Sequence, residues 1–374
     1  MDWYRLKNEA EIPSPALILD SGRLARNLAR MVEIAGDPAR LWPHVKTHKL
    51  TELVAIQVQL GIRRFKCATI AEAEMIAGVH GVERILLALQ PVGPQIPRLL
   101  ELGLQHRSVR FAAVVDDPGI VLQLSQATAR TRTSAGTPSS LDLFLDLDVG
   151  QGRTGISPGD SALELIRQIL ESPGLRLAGL HAYDGHLGIP DLAERATRCD
   201  DAFAPVGSLR GASEQLAGRE LEVLAGGSPT FALHARRARV SLSPGTTVFW
   251  DAGYAQKLPD LPFEPAAFLL CRVISRPGGN RLCLDLGHKA LASEMPHPRA
   301  LFLNLDQPVA VSHSEEHLVV ETPSAPLFPV GSVVYALPWH VCPTVALHSE
   351  VWHAEDQVAT GRWTVRARDR KLTV

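Results

Sequence analysis

Residues 141–183 read LDLFLDLDVGQGRTGISPGDSALELIRQILESPGLRLAGLHAY. The run 141–148 alternates leucine with aspartate, a period of two that suits a strand. It ends in a glycine-rich turn, Asp148-Val149-Gly150-Gln151-Gly152-Arg153-Thr154-Gly155. Asp160–Glu171 then places Leu163, Leu165, Ile166 and Ile169 at helical spacing and stops at Ser172-Pro173-Gly174. The apolar run 177–183 completes a strand–helix–strand unit.

The same grammar extends in both directions. Short apolar or β-branched runs occur at 41–46, 64–69, 84–89, 109–114, 221–225 and 239–242, which makes eight with the two above. Amphipathic stretches separate them, such as 70–79 behind the N-cap candidate Thr69. The expected class is α/β, a (β/α)8 barrel of the TIM type. A doubly wound open sheet shares this local grammar, and strand counting does not separate the two. After about residue 250 the pattern changes. Runs at 268–274, 281–284, 308–312, 317–321, 332–337 and 363–368 read as strands without helices between them. They predict a second, C-terminal all-β domain. The expected boundaries are 14–249 for the barrel and 250–374 for the β domain, with residues 1–13 joining the latter. The Thr/Ser-rich segment 130–140 reads as a surface loop.

Composition narrows the function classes. The 374 residues are 45% hydrophobic and 21% charged, with a formal net charge of -2. That balance gives no overall pull toward nucleic acid or membrane, and basic runs such as Arg236-Arg237-Ala238-Arg239 are short. No apolar run reaches the ~18 residues of a membrane-spanning helix. The first residues are amphipathic and include an acid, so a cytoplasmic protein is the expectation. The five cysteines are scattered without CxxC spacing and read as free thiols.

Several residues stand where chemistry is expected. Lys46 falls at the carboxyl end of the first run, the end that carries barrel active sites. Partial burial there lowers a lysine pKa and frees the amine for covalent catalysis. Lys49, three residues on, competes for the role. Arg153, in the glycine turn, is placed to hold an aromatic nitrogen or a phosphate, or else faces solvent. Gly226, Gly227, Ser228 and Thr230 follow the seventh run, and Gly245 and Thr246 follow the eighth. Loops after strands seven and eight commonly bind phosphate through backbone N–H groups and hydroxyls. Tyr183 ends the sixth run as a ring-packing or proton-transferring candidate, and His186 could act as a base near neutral pH. His340 and Cys342 share a face if their segment is extended, and an imidazole with a thiolate suits zinc.

Pro43-His44-Val45-Lys46-Thr47-His48-Lys49, 148–155, His181-Ala182-Tyr183, Gly226-Gly227 and His340-Val341-Cys342-Pro343-Thr344 occur in that order. Together they resemble the D-threonine aldolase and D-serine dehydratase family of fold-type III pyridoxal-phosphate (PLP) enzymes, which share the alanine racemase architecture. The resemblance spans about 13–364. It implies that Lys46 is the Schiff-base lysine, that Arg153 faces the pyridine nitrogen and that Tyr183 lies by the cofactor. It also implies a phosphate cradle from Gly226, Gly227, Ser228, Thr230, Gly245 and Thr246. His340 and Cys342 become ligands of a divalent metal, zinc first, with manganese or magnesium as alternatives. A homodimer acting on a small D-amino acid is implied, with no nucleic acid or membrane partner. The implied reaction is retro-aldol cleavage of D-threonine-like substrates to glycine and an aldehyde. Dehydration of D-serine or 3-hydroxyaspartate is the alternative, and a non-catalytic PLP-binding protein is the alternative of another class.

Two departures qualify the match. The aldolases it resembles carry aspartate where Cys342 stands, and the dehydratases carry His-x-Cys. A histidine base of the aldolases falls at Ile189 by ungapped counting, which leaves His186 as the nearest substitute.

Overall fold

The computed structural model describes residues 2–131 and 139–374, so most of the expected loop 130–140 lies outside the described residues. The chain divides into two units. One comprises Val32–Lys46, Thr51–Gly245 and Asp369–Val374; the other comprises Met1–Met31, Thr47–Leu50 and Thr246–Arg368. The boundary expected at 14 differs from this division for a specific reason. Strand β1 (Ala16–Asp20) pairs in parallel with Trp352–Ala354 of one later strand and antiparallel with Ala267–Leu270 of another. It therefore belongs to the second unit's sheet.

The first unit is built on a parallel sheet in sequential order. Its strands are β2 (Arg64–Cys67), β3 (Arg84–Leu87), β4 (Arg110–Val115), β5 (Leu141–Asp146), β6 (Leu175–Ala182), β7 (Glu222–Ala225) and β8 (Val240–Leu242). The run 41–46 is not a continuous strand. Pro43 has no N–H to give a ladder, and the chain turns at Val45–Thr47 into a 3-10 helix. The segment 41–44 nevertheless bridges both edges: Leu41 pairs with Leu242, and His44 pairs with Lys66. Trp42 N–H donates to Leu242 O (2.7 Å), and Lys66 N–H donates to Pro43 O (3.0 Å). These bonds supply the eighth stave of the barrel and exclude the open-sheet alternative.

The two-residue period sorts the barrel interior into layers. The middle layer is apolar: Trp42, Leu86, Ala112, Phe144, Ala178 and Leu224 are buried together. At the amino ends of the strands the same inward positions are charged. Glu222 accepts from Arg64 (2.8 Å), Arg84 (2.8 Å), Trp42 Nε1 (2.9 Å) and Ser241 (2.7 Å). Asp142 takes a bidentate pair from Arg176. In β5 the inward positions are Asp142, Phe144 and Asp146, so its alternating aspartates sit in the two outer layers. Between β5 and β6 the register shifts by one residue at Leu143/Phe144. That shift sets His181 opposite Asp146 and turns it inward.

Glu222 holds the lower layer together. Its side chain and those of Arg64 and Arg84 are only 17–21% exposed. Replacing Glu222 by alanine strands two half-buried guanidinium groups and is expected to cost about 3 kcal/mol. Urea unfolding should show this as a lower midpoint at unchanged slope.

In the second unit the strands are β9 (Ala267–Ser275), β10 (Arg281–Leu284), β11 (Ala300–Phe302), β12 (Val309–His313), β13 (Leu318–Glu321), β14 (Val333–Pro338), β15 (Glu350–Glu355) and β16 (Val358–Thr364). The sheet order is β12-β13-β10-β9-β1-β15-β16, and β14 pairs with β9 and β11. Residues before β1 belong to this unit: Lys7 N–H donates to Gln357 O (2.8 Å), and Leu6 N–H donates to Tyr335 Oη (3.0 Å). Its core gathers Tyr4, Leu6, Ile12, Phe268, Leu270 and Tyr335. The unit is not purely β, since the helices Ala252–Lys257 and Val341–Leu347 lie in it. Among the described residues no helix is long and apolar enough to cross a membrane.

Candidate active site

At the carboxyl ends of the barrel strands a cavity of about 410 Å³ opens among Lys46, Lys66, Asp146, Arg153, His181 and Tyr183. Lys46 stands within the 3-10 turn Val45–Thr47, not at a strand end as expected. Its Nζ lies 5.8 Å from the Tyr183 ring centroid; Lys66 Nζ is at 5.0 Å and Arg153 Cζ at 5.2 Å. Three cations thus surround one aromatic ring. Lys49 is not among the cavity's lining residues.

Arg153 is presented by the glycine-rich turn 148–155. Asp148 Oδ1 accepts from the N–H groups of Gly150 (2.9 Å), Gln151 (2.9 Å) and Gly152 (3.1 Å). The Gly152 bond, with the others, holds the Asp148 carboxyl below its ordinary range. Gly155 is required here: its φ is +101°, and an added Cβ would sit 2.4 Å from Asp148 N.

His181 and Asp146 form a buried pair at 2.6 Å. Burial alone would raise Asp146, but His181 and Thr154 outweigh it and hold the carboxyl low. Burial pushes His181 down. Its neutral form, with Nδ1–H to Asp146, leaves the Nε2 lone pair facing Lys66 Nζ at 3.5 Å.

The glycine turn after β7 behaves differently from expectation. Gly227 N–H donates to Asp184 Oδ1 (3.1 Å), and so does the Thr230 hydroxyl (2.5 Å), with Thr230 fully buried. These two groups, expected to face a phosphate, are spent on Asp184. The turns after β7 and β8 are joined, because Gly245 N–H donates to Ser228 Oγ (3.2 Å). Gly226 has φ +83°, a left-handed conformation that glycine permits. Gly185 and Gly227 make room for Tyr183: an added Cβ would meet its hydroxyl at 2.1 Å and its ring at 3.0 Å, respectively. His186 is exposed and does not line the cavity; it stands over the Gly150 turn.

Asp184 leads to a second cluster. Asp184, Cys199 and His234 are buried, and their donor atoms lie within 4.8 Å of one another, a spacing that could hold an ion. Asp184 Oδ2 is 2.7 Å from His234 Nε2, and Arg237 Nη1 is 3.2 Å from His234 Nδ1. The guanidinium makes Nδ1 an acceptor, so Nε2 carries the proton and donates to Asp184. Metal-bound histidines instead offer that second nitrogen as a donor to an acceptor. Burial also pushes the Cys199 thiol up to about 12, away from the thiolate a metal needs. The hydrogen bonds favour a different role for this cluster, as the support of the 226–230 turn.

In the second unit His340 is the N-cap of helix Val341–Leu347, not a strand residue, and Cys342 is its second helical residue. The pair still meets: the His340 ring hydrogen-bonds Cys342, while its Nδ1 lies 2.5 Å from Glu294 Oε1. Burial opposes the His340 charge, but Cys342 and Glu294 outweigh it and raise the pKa to about 9. Asp251 Oδ2 accepts from Val341 N–H (3.1 Å) and fixes the helix start. Cys342 Sγ lies 3.3 Å from Thr47 Oγ1 and 3.6 Å from Thr246 Oγ1. A nitrogen–sulfur pair with a carboxylate on the far imidazole nitrogen is a donor set that could hold a divalent metal.

The sequence reading missed Lys66, His181 and Asp146. Alternation was the available signal: Lys66 lies two residues from Arg64, and His181 two from Tyr183, on inward faces.

A closed parallel barrel whose strand ends gather Lys46, Lys66 and Arg153 around one aromatic ring could hold a planar anion. The chain belongs to the alanine racemase N-terminal domain family, whose pattern matches residues 19–252. Residues 266–353 match the family described as "Putative serine dehydratase domain". The chain is 31% identical over 365 residues to a D-threonine aldolase of Arthrobacter sp, covering 96% of this chain and 93% of that protein. It is 27% identical over 375 residues to a 3-hydroxy-D-aspartate aldolase of Paracoccus denitrificans (strain Pd 1222), covering 97% and 94%. The crystal structure of D-threonine aldolase from Filomicrobium marinum superposes with a TM-score of 0.87 at 28% identity, covering 98% of each chain.

Proposed function

We propose that the protein is a PLP- and metal-dependent lyase that cleaves D-β-hydroxy amino acids of the threonine type into glycine and an aldehyde. The observation that carries this reading is the set of three cations around Tyr183 in a cavity of about 410 Å³. That size lies within the ~300–1,000 Å³ of small-molecule pockets, and the donor set fits a planar anion. PLP, when bound, supplies an electron sink for the charge left on the substrate's α-carbon. Lys46 would hold the cofactor covalently, and its Nζ would deliver a proton to the α-carbon after Cα–Cβ cleavage or, in dehydration, remove the α-proton. Arg153 is the candidate partner of the ring nitrogen, and Tyr183 packs beside the ring. The turns at Gly226, Gly227 and Ser228, and at Gly245 and Thr246, bound the phosphate end, with Thr230 acting from beneath through Asp184. His340 and Cys342 would hold the divalent metal, zinc by donor type, which supplies a Lewis acid for the substrate hydroxyl. Glu294 orients His340 through Nδ1.

Dehydration is the second reading, favoured by one residue: Cys342, where the resembling aldolases carry aspartate. Product analysis separates the two. The purified protein, loaded with PLP and zinc or manganese, is expected to convert D-threonine to glycine and acetaldehyde. 2-Oxobutanoate from D-threonine, or pyruvate with ammonia from D-serine, would instead establish the dehydratase. Bound PLP with none of these products would overturn both.

A further inference from the structure

Lys66 is a second lysine of the cavity, and it is in an unusual position for a cation. It is 1% exposed, and its whole hydrogen-bond set is one hydroxyl, Ser243 Oγ at 2.6 Å, and one imidazole nitrogen, His181 Nε2 at 3.5 Å. Among the described residues no carboxylate lies within ion-pair distance of Nζ. An ammonium has three donors to place, and a buried cation without an anion is costly. Two other cations, Lys46 and the exposed Arg153, stand around the same Tyr183 ring, while the cavity lining supplies two carboxylates, Asp116 and the histidine-paired Asp146, so positive charge is in excess there. The side chain lines the cavity, and Ser243 passes its own proton to Gly226 O at 2.7 Å, which ties Lys66 to the turn after β7.

We propose that Lys66 is a second cofactor-binding lysine, whose ammonium supplies the buried countercharge and a hydrogen bond to the anionic cofactor, independently of the covalent role of Lys46. The acceptor is either a phosphate oxygen or the 3-oxygen carried by the pyridine ring, an anionic oxygen in both cases. The inference rests on the PLP reading above. Ser243 and the Asp146–His181 pair act as positioning groups: they fix Nζ without neutralising it. In the free protein, burial pushes Lys66 down to about 7, Lys46 and Arg153 push the same way, and Asp146 and Asp184 oppose them. An anion bound at Nζ keeps the proton on, so binding through Lys66 should weaken as pH rises above that value.

The test uses 4-deoxypyridoxine phosphate, which keeps the ring and phosphate but lacks the aldehyde, so that Lys46 cannot bond to it. Isothermal titration of the apoprotein should show Lys66→Met binding it about tenfold or more weakly than wild type. Lys66→Gln should behave alike and Lys66→Arg should recover most of the loss. The Lys66→Met apoprotein should melt no lower than wild type, because an unpaired buried charge has been removed. Between pH 7 and 9 the wild-type affinity should fall, and that fall should be smaller in Lys66→Met. Repeating the titration with 4-deoxypyridoxine locates the acceptor: a loss of similar size places it on the ring, and a loss confined to the phosphorylated ligand places it on the phosphate. Should Lys66→Met not fold, Lys66→Gln and the wild-type pH series decide. Affinities of Lys66→Met or Lys66→Gln within about twofold of wild type, or a flat wild-type pH series, would overturn the role of Lys66 alone. A wild-type protein that binds no PLP would overturn it together with the PLP reading.

Discussion

Replacing Lys46 by alanine is expected to abolish the absorbance band of lysine-bound PLP and to lower kcat/KM for D-threonine cleavage by about 10³-fold or more. The size of the effect follows from two tasks resting on one atom. In the proposed reading Nζ of Lys46 both anchors the cofactor and serves the α-carbon, so neither water nor a neighbour would replace it. Lys66 is fixed by Ser243 and His181. Lys49 sits in a left-handed backbone conformation (φ 56°) and does not line the cavity. The fold should survive. Lys46 is the half-buried residue of a 3-10 turn whose other members, Val45 and Thr47, are fully buried and carry the packing. Thermal melting of the variant without cofactor should therefore match the wild-type apoprotein, while its spectrum above the protein band is blank.

Replacing His340 by alanine is expected to remove the metal and lower activity by about 10²-fold, with the PLP band of Lys46 retained. Cys342 alone would then be left to hold the ion beside Thr47 and Thr246, whose hydroxyls are weak ligands. Metal analysis after dialysis should show the loss directly. Glu294→Gln is the graded control. It leaves His340 in place but removes the carboxylate 2.5 Å from Nδ1, so a smaller drop of about tenfold in metal affinity is expected. Full activity in His340→Ala without added metal would remove the metal from the account.

Much of this architecture was legible in the chain because barrels repeat a local rule. Leucine–aspartate alternation in 141–148 marked a strand, and the glycine turn behind it marked the place from which Arg153 reaches the cavity. What alternation did not tell was which aspartate serves which layer. Asp142 pairs with Arg176 at one end and Asp146 with His181 at the other, and the second pairing depends on a register shift between β5 and β6. That shift is a property of two strands together, not of either sequence. Strand β1 escaped the reading for a related reason. Ala16–Asp20 is an ordinary buried run, and its partners, β9 and β15, lie some 250 to 330 residues further along.

The candidate site divides the same way. The glycines after β7 were visible as a turn, but the direction of their N–H groups is set by Asp184, which arrives from the end of β6. Thr230 reads as a phosphate donor until that carboxylate is in place. His340 and Cys342 were visible as a motif while their conformation was not. Asp251 caps the helix start through Val341 N–H, so the pair meets across a helix N-terminus and not along a strand. Lys66 passed unremarked because a single lysine in an apolar run looks like a tolerated surface residue. Its burial is a consequence of barrel closure at 41–44.

The central claim is that Lys46 carries the cofactor, and borohydride reduction of the PLP-loaded protein tests it most directly. Peptide mass spectrometry of the reduced protein should find the pyridoxyl group in the tryptic peptide spanning residues 41–49, with fragment ions placing it on Lys46 and not on Lys49. A pyridoxyl group found instead on Lys49 or Lys66, with Lys46 unmodified, would contradict the account.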